Sequence, residues 1–224
     1  MSSTVLSHAL IGALWFVSIG GMAAESQPFL SCVSQKVEST ALKQAPEGAR
    51  RVSRHVLEVE SQKGTQRFVD KPPHNEGEMG GVHWRYCGYD VQAKVHLIEV
   101  VDESSYSGDL LWEKTGKLMR VGHTVLFSPN LEAFLAIEQQ DGVDGATWTV
   151  YGANGKPIWK GCAGTVAQVG GIDSVVSTFE DPRWTRDGEL TARFVCASSK
   201  MNGVVTLARS ASGHWRWRGH GKCA

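Results

Sequence analysis

The second half of the chain repeats itself, and the repeat limits what it can fold into. Phe127-Ser128-Pro129 opens one unit and Phe179-Glu180-Asp181-Pro182-Arg183-Trp184 opens the next. Each opening leads into a strand-like run, a loop and a second strand. Each unit closes on a glycine turn and tryptophan, Asn154-Gly155-Lys156-Pro157-Ile158-Trp159 in the first and Ser212-Gly213-His214-Trp215-Arg216-Trp217 in the second. A spacing of about 50 residues is that of repeated small antiparallel sheets. Asn-Gly and Asp-Gly at 154–155 and 187–188 are hairpin turns by their chemistry, since both dipeptides accept positive φ. No segment after the first two dozen residues carries a 3.6-residue apolar period. The expectation is an all-β chain.

Upstream, Arg51 to Val69 alternates in polarity around Ser61-Gln62-Lys63-Gly64 and reads as a hairpin. Ser39 to Lys43 reads as the start of a short helix, ended by Pro46-Glu47-Gly48. Asp70 to Gly81, with two prolines and three glycines, reads as a loop. Lys94 to Asp102 is apolar on both of its alternating faces, as expected of a strand covered on both sides. Ser104 to Asp109 reads as a polar loop around Gly108. Leu110–Trp112 and Leu118–Val121 form a hairpin around Lys114-Thr115-Gly116-Lys117, a divergent form of the later closures. The resulting organisation is a hairpin at 51–69 and about three units, at roughly 82–122, 125–164 and 173–221.

Residues 9–23 read ALIGALWFVSIGGMA, an uncharged run too short for a comfortable membrane span and suited to a signal peptide. Small residues follow, so residues 1–24 are assigned as a leader and 25–224 as one domain. Periplasmic or secreted location is the corresponding expectation, with no transmembrane segment in the mature chain. The net charge is zero, which argues against a nucleic-acid partner. Charge is uneven, however: after Glu189 no acidic residue occurs, while Arg193, Lys200, Arg209, Arg216, Arg218 and Lys222 do. The five cysteines, Cys32, Cys87, Cys162, Cys196 and Cys223, are disulfide candidates in an oxidising compartment, with one thiol left over. Spacing does not determine the pairing. The working assignment is Cys162–Cys196 between units, with Cys32 or Cys87 joined to Cys223.

The openings Phe127-Ser128-Pro129 and Asp181-Pro182-Arg183-Trp184-Thr185-Arg186-Asp187-Gly188 resemble the SPDG-type turn of WD40-like propeller blades in bacterial envelope proteins. The resemblance covers roughly residues 82–220 and implies blade-like sheets. Three units are fewer than the four to eight that close a propeller. An open, incomplete propeller-like assembly or a β-sandwich is therefore expected, its edges needing cover from elsewhere in the chain.

Signals for catalysis are weak. Ser107-Gly108 and Ser212-Gly213 lack the nucleophile-elbow context. His83 and Cys87 share a strand face, but an exported cysteine more often lies in a disulfide. His214, His220 and Cys223 lack zinc spacing, and Asp141 to Gly145 has too few ligands for calcium. No catalytic residue, metal ligand or cofactor is assigned. Binding signals are better. Trp215-Arg216-Trp217-Arg218 puts both tryptophans on one face and both arginines on the other. Ser104, Ser105, Tyr106 and Ser107 are hydroxyl-rich, as adaptable contact loops are. These four and Arg216 and Arg218 are the candidate partner-binding residues. In size, export signal and β content the chain resembles exported immunity proteins that block secreted peptidoglycan amidases. That resemblance implies a periplasmic inhibitor that plugs a protein partner's active site with a loop. An envelope scaffold or anionic-polymer-binding module, and a hydrolase on a propeller-like frame, are the alternatives. The oligomeric state is not legible.

Overall fold

The computed structural model describes residues 27–33, 38–46, 48–73, 80–102, 105–139, 146–169, 172–210, 212, 214–219 and 223. The expected leader (1–24), Ser104, residues 141–145 and the histidines at 74 and 220 lie outside the described residues.

After β1 (Phe29–Ser31) and the single described helix α1 (Glu38–Gln44), the chain runs as consecutive antiparallel meanders. The first is β2 (Ala49–Ser53), β3 (Val56–Ser61) and β4 (Gly64–Val69). The second is β5 (Val82–Asp90), β6 (Val95–Asp102), β7 (Ser105–Trp112) and β8 (Leu118–Val121). The third is β9 (Thr124–Phe127), β10 (Ala133–Gln139), β11 (Ala146–Gly152) and β12 (Pro157–Cys162), extended at its first edge by β1. The fourth is β13 (Gly164–Val169), β14 (Ile172–Trp184), β15 (Leu190–Cys196), β16 (Asn202–Arg209) and β17 (Trp215–Arg218). The all-β architecture of antiparallel, blade-like sheets is thus present, as four sheets with no closed barrel among the described residues.

Three apolar cores lie between successive sheets. Leu57, Val59 and Phe68 pack with Tyr86, Ile98 and Leu111, and Ala41 of α1 joins them. Val95, Leu97 and Leu110 pack with Val125, Phe127 and Phe134, beneath Leu30 of β1. Leu126, Leu135 and Trp148 pack with Phe179, Phe194 and Val205. β6 illustrates the stack, for Val95 and Leu97 enter one core and Ile98 the other. A strand buried on both faces has no polar side, as its sequence indicates. The last sheet instead alternates. β15 and β17 turn Leu190, Ala192, Trp215 and Trp217 inward and Arg193, Arg216 and Arg218 outward.

The tryptophans that close the repeats have a packing role. Trp112 meets Phe134 between the second and third sheets. Trp159 and Trp217 meet edge-on between the third and fourth, with centroids 5.8 Å apart. The repeat register differs from the sequence reading. Ser128 Oγ accepts the amide of Ala133 across the β9–β10 turn, and Thr185 Oγ1 accepts that of Glu189 across the β14–β15 turn. The structural counterpart of Phe127-Ser128 is therefore Trp184-Thr185. The Phe179 opening lies inside β14, which continues through a bulge where Asp181 takes φ 49°.

Two readings are corrected. Ser105 to Asp109 is part of β7 and not a loop. Gly108 is there for close approach: a Cβ on it would lie 2.5 Å from the carbonyl oxygen of Gly122. The disulfides are Cys32–Cys87 and Cys196–Cys223, and Cys162 is the exposed free thiol. The Cys162–Cys196 and Cys223-to-N-terminal pairings fail because Cys32, just after β1, lands beside β5, and the chain end folds back on its own sheet. Among the described residues, no helix is long and apolar enough to cross a membrane.

Candidate functional site

β5 is the first edge of its sheet, so alternate backbone groups along it face away from β6 and need partners. Side chains from neighbouring elements supply them. Asp70, just after β4, accepts the Trp84 amide at 2.9 Å through Oδ1. Glu38 on α1 accepts the Tyr86 amide at 2.7 Å through Oε1. Arg51 on β2 donates to the Trp84 carbonyl, and its guanidinium forks onto Glu38 at 2.9 and 3.0 Å. Together with the backbone of Lys71, which bridges Val82, these three side chains satisfy an edge that a full strand would otherwise cover.

This cap leaves a cleft of about 560 Å³ between the first and second sheets. It is lined by Glu38, Asp70 and Glu99, by Arg51, Arg54 and Arg85, and by His55 and His83, with Trp84 and Val101 as its less polar walls. His55 Nδ1 lies 3.4 Å and His83 Nδ1 3.8 Å from Oδ2 of the buried Asp70. Arg85 contacts Glu99 at 2.6 Å and donates to the Cys32 carbonyl at 3.1 Å. Burial pushes the Glu99 carboxyl above its usual range, and Arg85 only partly opposes that. Each carboxylate in the cleft already accepts from a backbone amide, a guanidinium or both. Donors are left over: Arg51 Nη1 and Arg85 Nε are buried with no protein acceptor, and Arg54 is exposed.

A second cleft of about 400 Å³ lies at the opposite end of the same sheet pair. Tyr89 there donates to Glu113, and burial, then that bond, push its phenol up to about 12. Behind it the buried His96 is 2.9 Å from the Tyr86 hydroxyl, and burial lowers its imidazole to about 4. His96 is therefore neutral near pH 7 and serves packing and hydrogen bonding.

The residues singled out from sequence fall in different places. Ser107 is buried, and its hydroxyl accepts from Arg120, which also pairs with the buried Asp109 at 2.6 Å. It is a structural residue and not a surface contact. Ser105 and Tyr106 belong to β7, opposite Asp102 and Val101. Cys87 is held in its disulfide and is no nucleophile beside His83. Ser212 bonds Ser210, which also accepts the His214 amide, so that stretch is turn chemistry. Arg216 and Arg218 do reach the surface, on the outer face of the fourth sheet. There β16 presents Val204, 66% exposed, opposite Arg193, and Thr206 opposite Arg218. Arg193 itself pairs with Glu180 and Asp181. Among the described residues, no three His, Cys, Asp or Glu side chains are arranged to hold a metal ion.

The sequence reading missed the β5-edge cleft. Its residues run from Glu38 to Val101 on six separate segments, and only the proline-rich stretch after Asp70 hinted that the chain had to cross an edge there.

No protein-family model matches the chain, and no curated protein matches it significantly. Among solved structures it is similar to a chain of hydrazine synthase from Kuenenia stuttgartiensis, at 13% identity and a TM-score of 0.28. The match covers 73% of this chain and 59% of that one, so it spans less than two thirds of that chain's length.

Proposed function

We propose that this is an exported binding protein that acts by docking an acidic protein partner in the cell envelope, on the outer face of the β13–β17 sheet. One observation carries the reading. The stack ends on a sheet whose outer face combines exposed Val204 with Arg216 and Arg218, while Arg193 on the same face is paired with Glu180 and Asp181. Arginine beside apolar surface is a favoured anchor in protein interfaces. An acidic partner complements that charge and gains on-rate from it. Two disulfides suit the oxidising compartment that export implies. Inhibition follows where the docked surface is a partner's active site. The inhibitory contact then belongs to this face, since Ser107 is buried.

The test immobilises the protein in envelope extract beside the Arg216→Glu/Arg218→Glu variant. The expected result is one stoichiometric acidic protein held by the wild type and lost from the variant, with β16 and β17 amides protected from exchange in the complex. Equal recovery by both, or recovery of an anionic polymer in place of a protein, contradicts the reading.

A further inference from the structure

We propose that the cleft at the β5 edge is a binding site for a small organic acid, its carboxylate held by Arg54, Arg51 and Arg85. The argument is an imbalance of donors and acceptors. Glu38 and Asp70 face the β5 backbone and accept its amides, and Glu99 is paired with Arg85. Among the described residues of the cleft, no carboxylate is left to serve a cationic ligand. On the donor side, one guanidinium nitrogen each on Arg51 and Arg85 is buried without an acceptor, and the exposed Arg54 also lines the cleft. A buried donor left unmade is costly, and a planar carboxylate matches the fork of a guanidinium.

Size and lining fix the class further. About 560 Å³ falls within the roughly 300–1,000 Å³ of small-molecule sites and exceeds what a bare inorganic anion fills. Trp84 and Val101 offer apolar contact for a short carbon skeleton. The cleft lies between the first and second sheets, away from the outer face of the fourth, so the site is independent of the partner face.

The test is calorimetric titration of the intact protein with succinate at low ionic strength, alongside inorganic phosphate and the Arg54→Gln variant. Arg54 is exposed, so its replacement leaves the fold in place. The expected result is saturable one-to-one succinate binding, weakened about tenfold in Arg54→Gln. The Arg85 Nε–H resonance shifts with saturation, and the Arg216→Glu/Arg218→Glu variant binds succinate normally. No saturable heat overturns the proposal, as does equal affinity for succinate in Arg54→Gln. Binding of phosphate as tight as that of succinate overturns the organic-acid assignment, and a static Arg85 resonance overturns the placement.

Discussion

The first edges of the second and third sheets pose the same problem and receive different answers. At β9, β1 lies antiparallel along the edge, pairing Phe29 with Leu126 and Ser31 with Thr124. Its flanks add the Phe127 amide to the Pro28 carbonyl and the Cys32 amide to the His123 carbonyl. At β5 backbone cover is limited to Lys71, which bridges Val82 through two hydrogen bonds at 2.9 and 3.1 Å, and no strand follows it along the edge. Glu38, Asp70 and Arg51 meet the exposed backbone one group at a time. A strand closes an edge continuously and leaves no room. Charged side chains close it at points, and the space between them is the cleft. The molecule acquires a candidate ligand site where its edge cover is discontinuous.

The largest effect comes from cutting the link between the two edges. Cys32, at the end of β1, is bonded to Cys87 on β5, across 55 residues. Replacing both with alanine should cost about 4 kcal/mol by loop-closure entropy. Removing Cys196–Cys223, across 27 residues, should cost somewhat less. Urea unfolding of the two variants ranks them, and the reverse order breaks the view that β1 and β5 are held by this staple.

Next is acid. His96 titrates near 4 in the folded protein because it is buried, against an ordinary 6.5. Its folded value is depressed, so the unfolded chain takes up the proton first. Stability present above pH 6.5 is lost progressively as pH falls through 4, to a total of about 3 kcal/mol. His123, also lowered by burial, acts in the same direction. Glu99, raised by burial, acts oppositely, giving stability at low pH that is lost as pH rises through its folded value. His96→Gln should flatten the acid limb of stability against pH, and an unchanged slope removes His96 as its cause.

Asp70→Ala leaves the Trp84 amide without its acceptor and should cost about 2 kcal/mol in urea unfolding. The smallest effect on stability is expected at the outer face of the fourth sheet. Arg216→Glu/Arg218→Glu should shift stability by under about 0.5 kcal/mol while abolishing partner capture. A large loss of stability would mean that this face is structural.

The legible parts of the fold were those written locally. Gly116, Gly155 and Gly188 all take positive φ at the turns their sequences mark. The two-faced β6 and the Trp–Arg alternation of β17 also follow directly from neighbouring residues. What stayed hidden was non-local. β1 meets β9 about a hundred residues downstream by a register that three residues cannot advertise. β13 fell between the units expected at 125–164 and 173–221, where no strand was assigned. Ser105 to Asp109 looked like a loop because it is polar, yet Ser107 and Asp109 are buried by one cross-strand partner, Arg120. A sequence shows the polarity and not the residue that neutralises it.

The most direct measurement of the two-edge account is native-state hydrogen exchange at single amides in wild type and in Asp70→Ala. The account predicts that the Trp84 amide exchanges at least about tenfold faster in the variant while the Phe127 amide, bonded to β1, keeps its rate. A Trp84 amide as slow as before would show that something other than Asp70 covers the β5 edge, and the contrast between the two edges would fall.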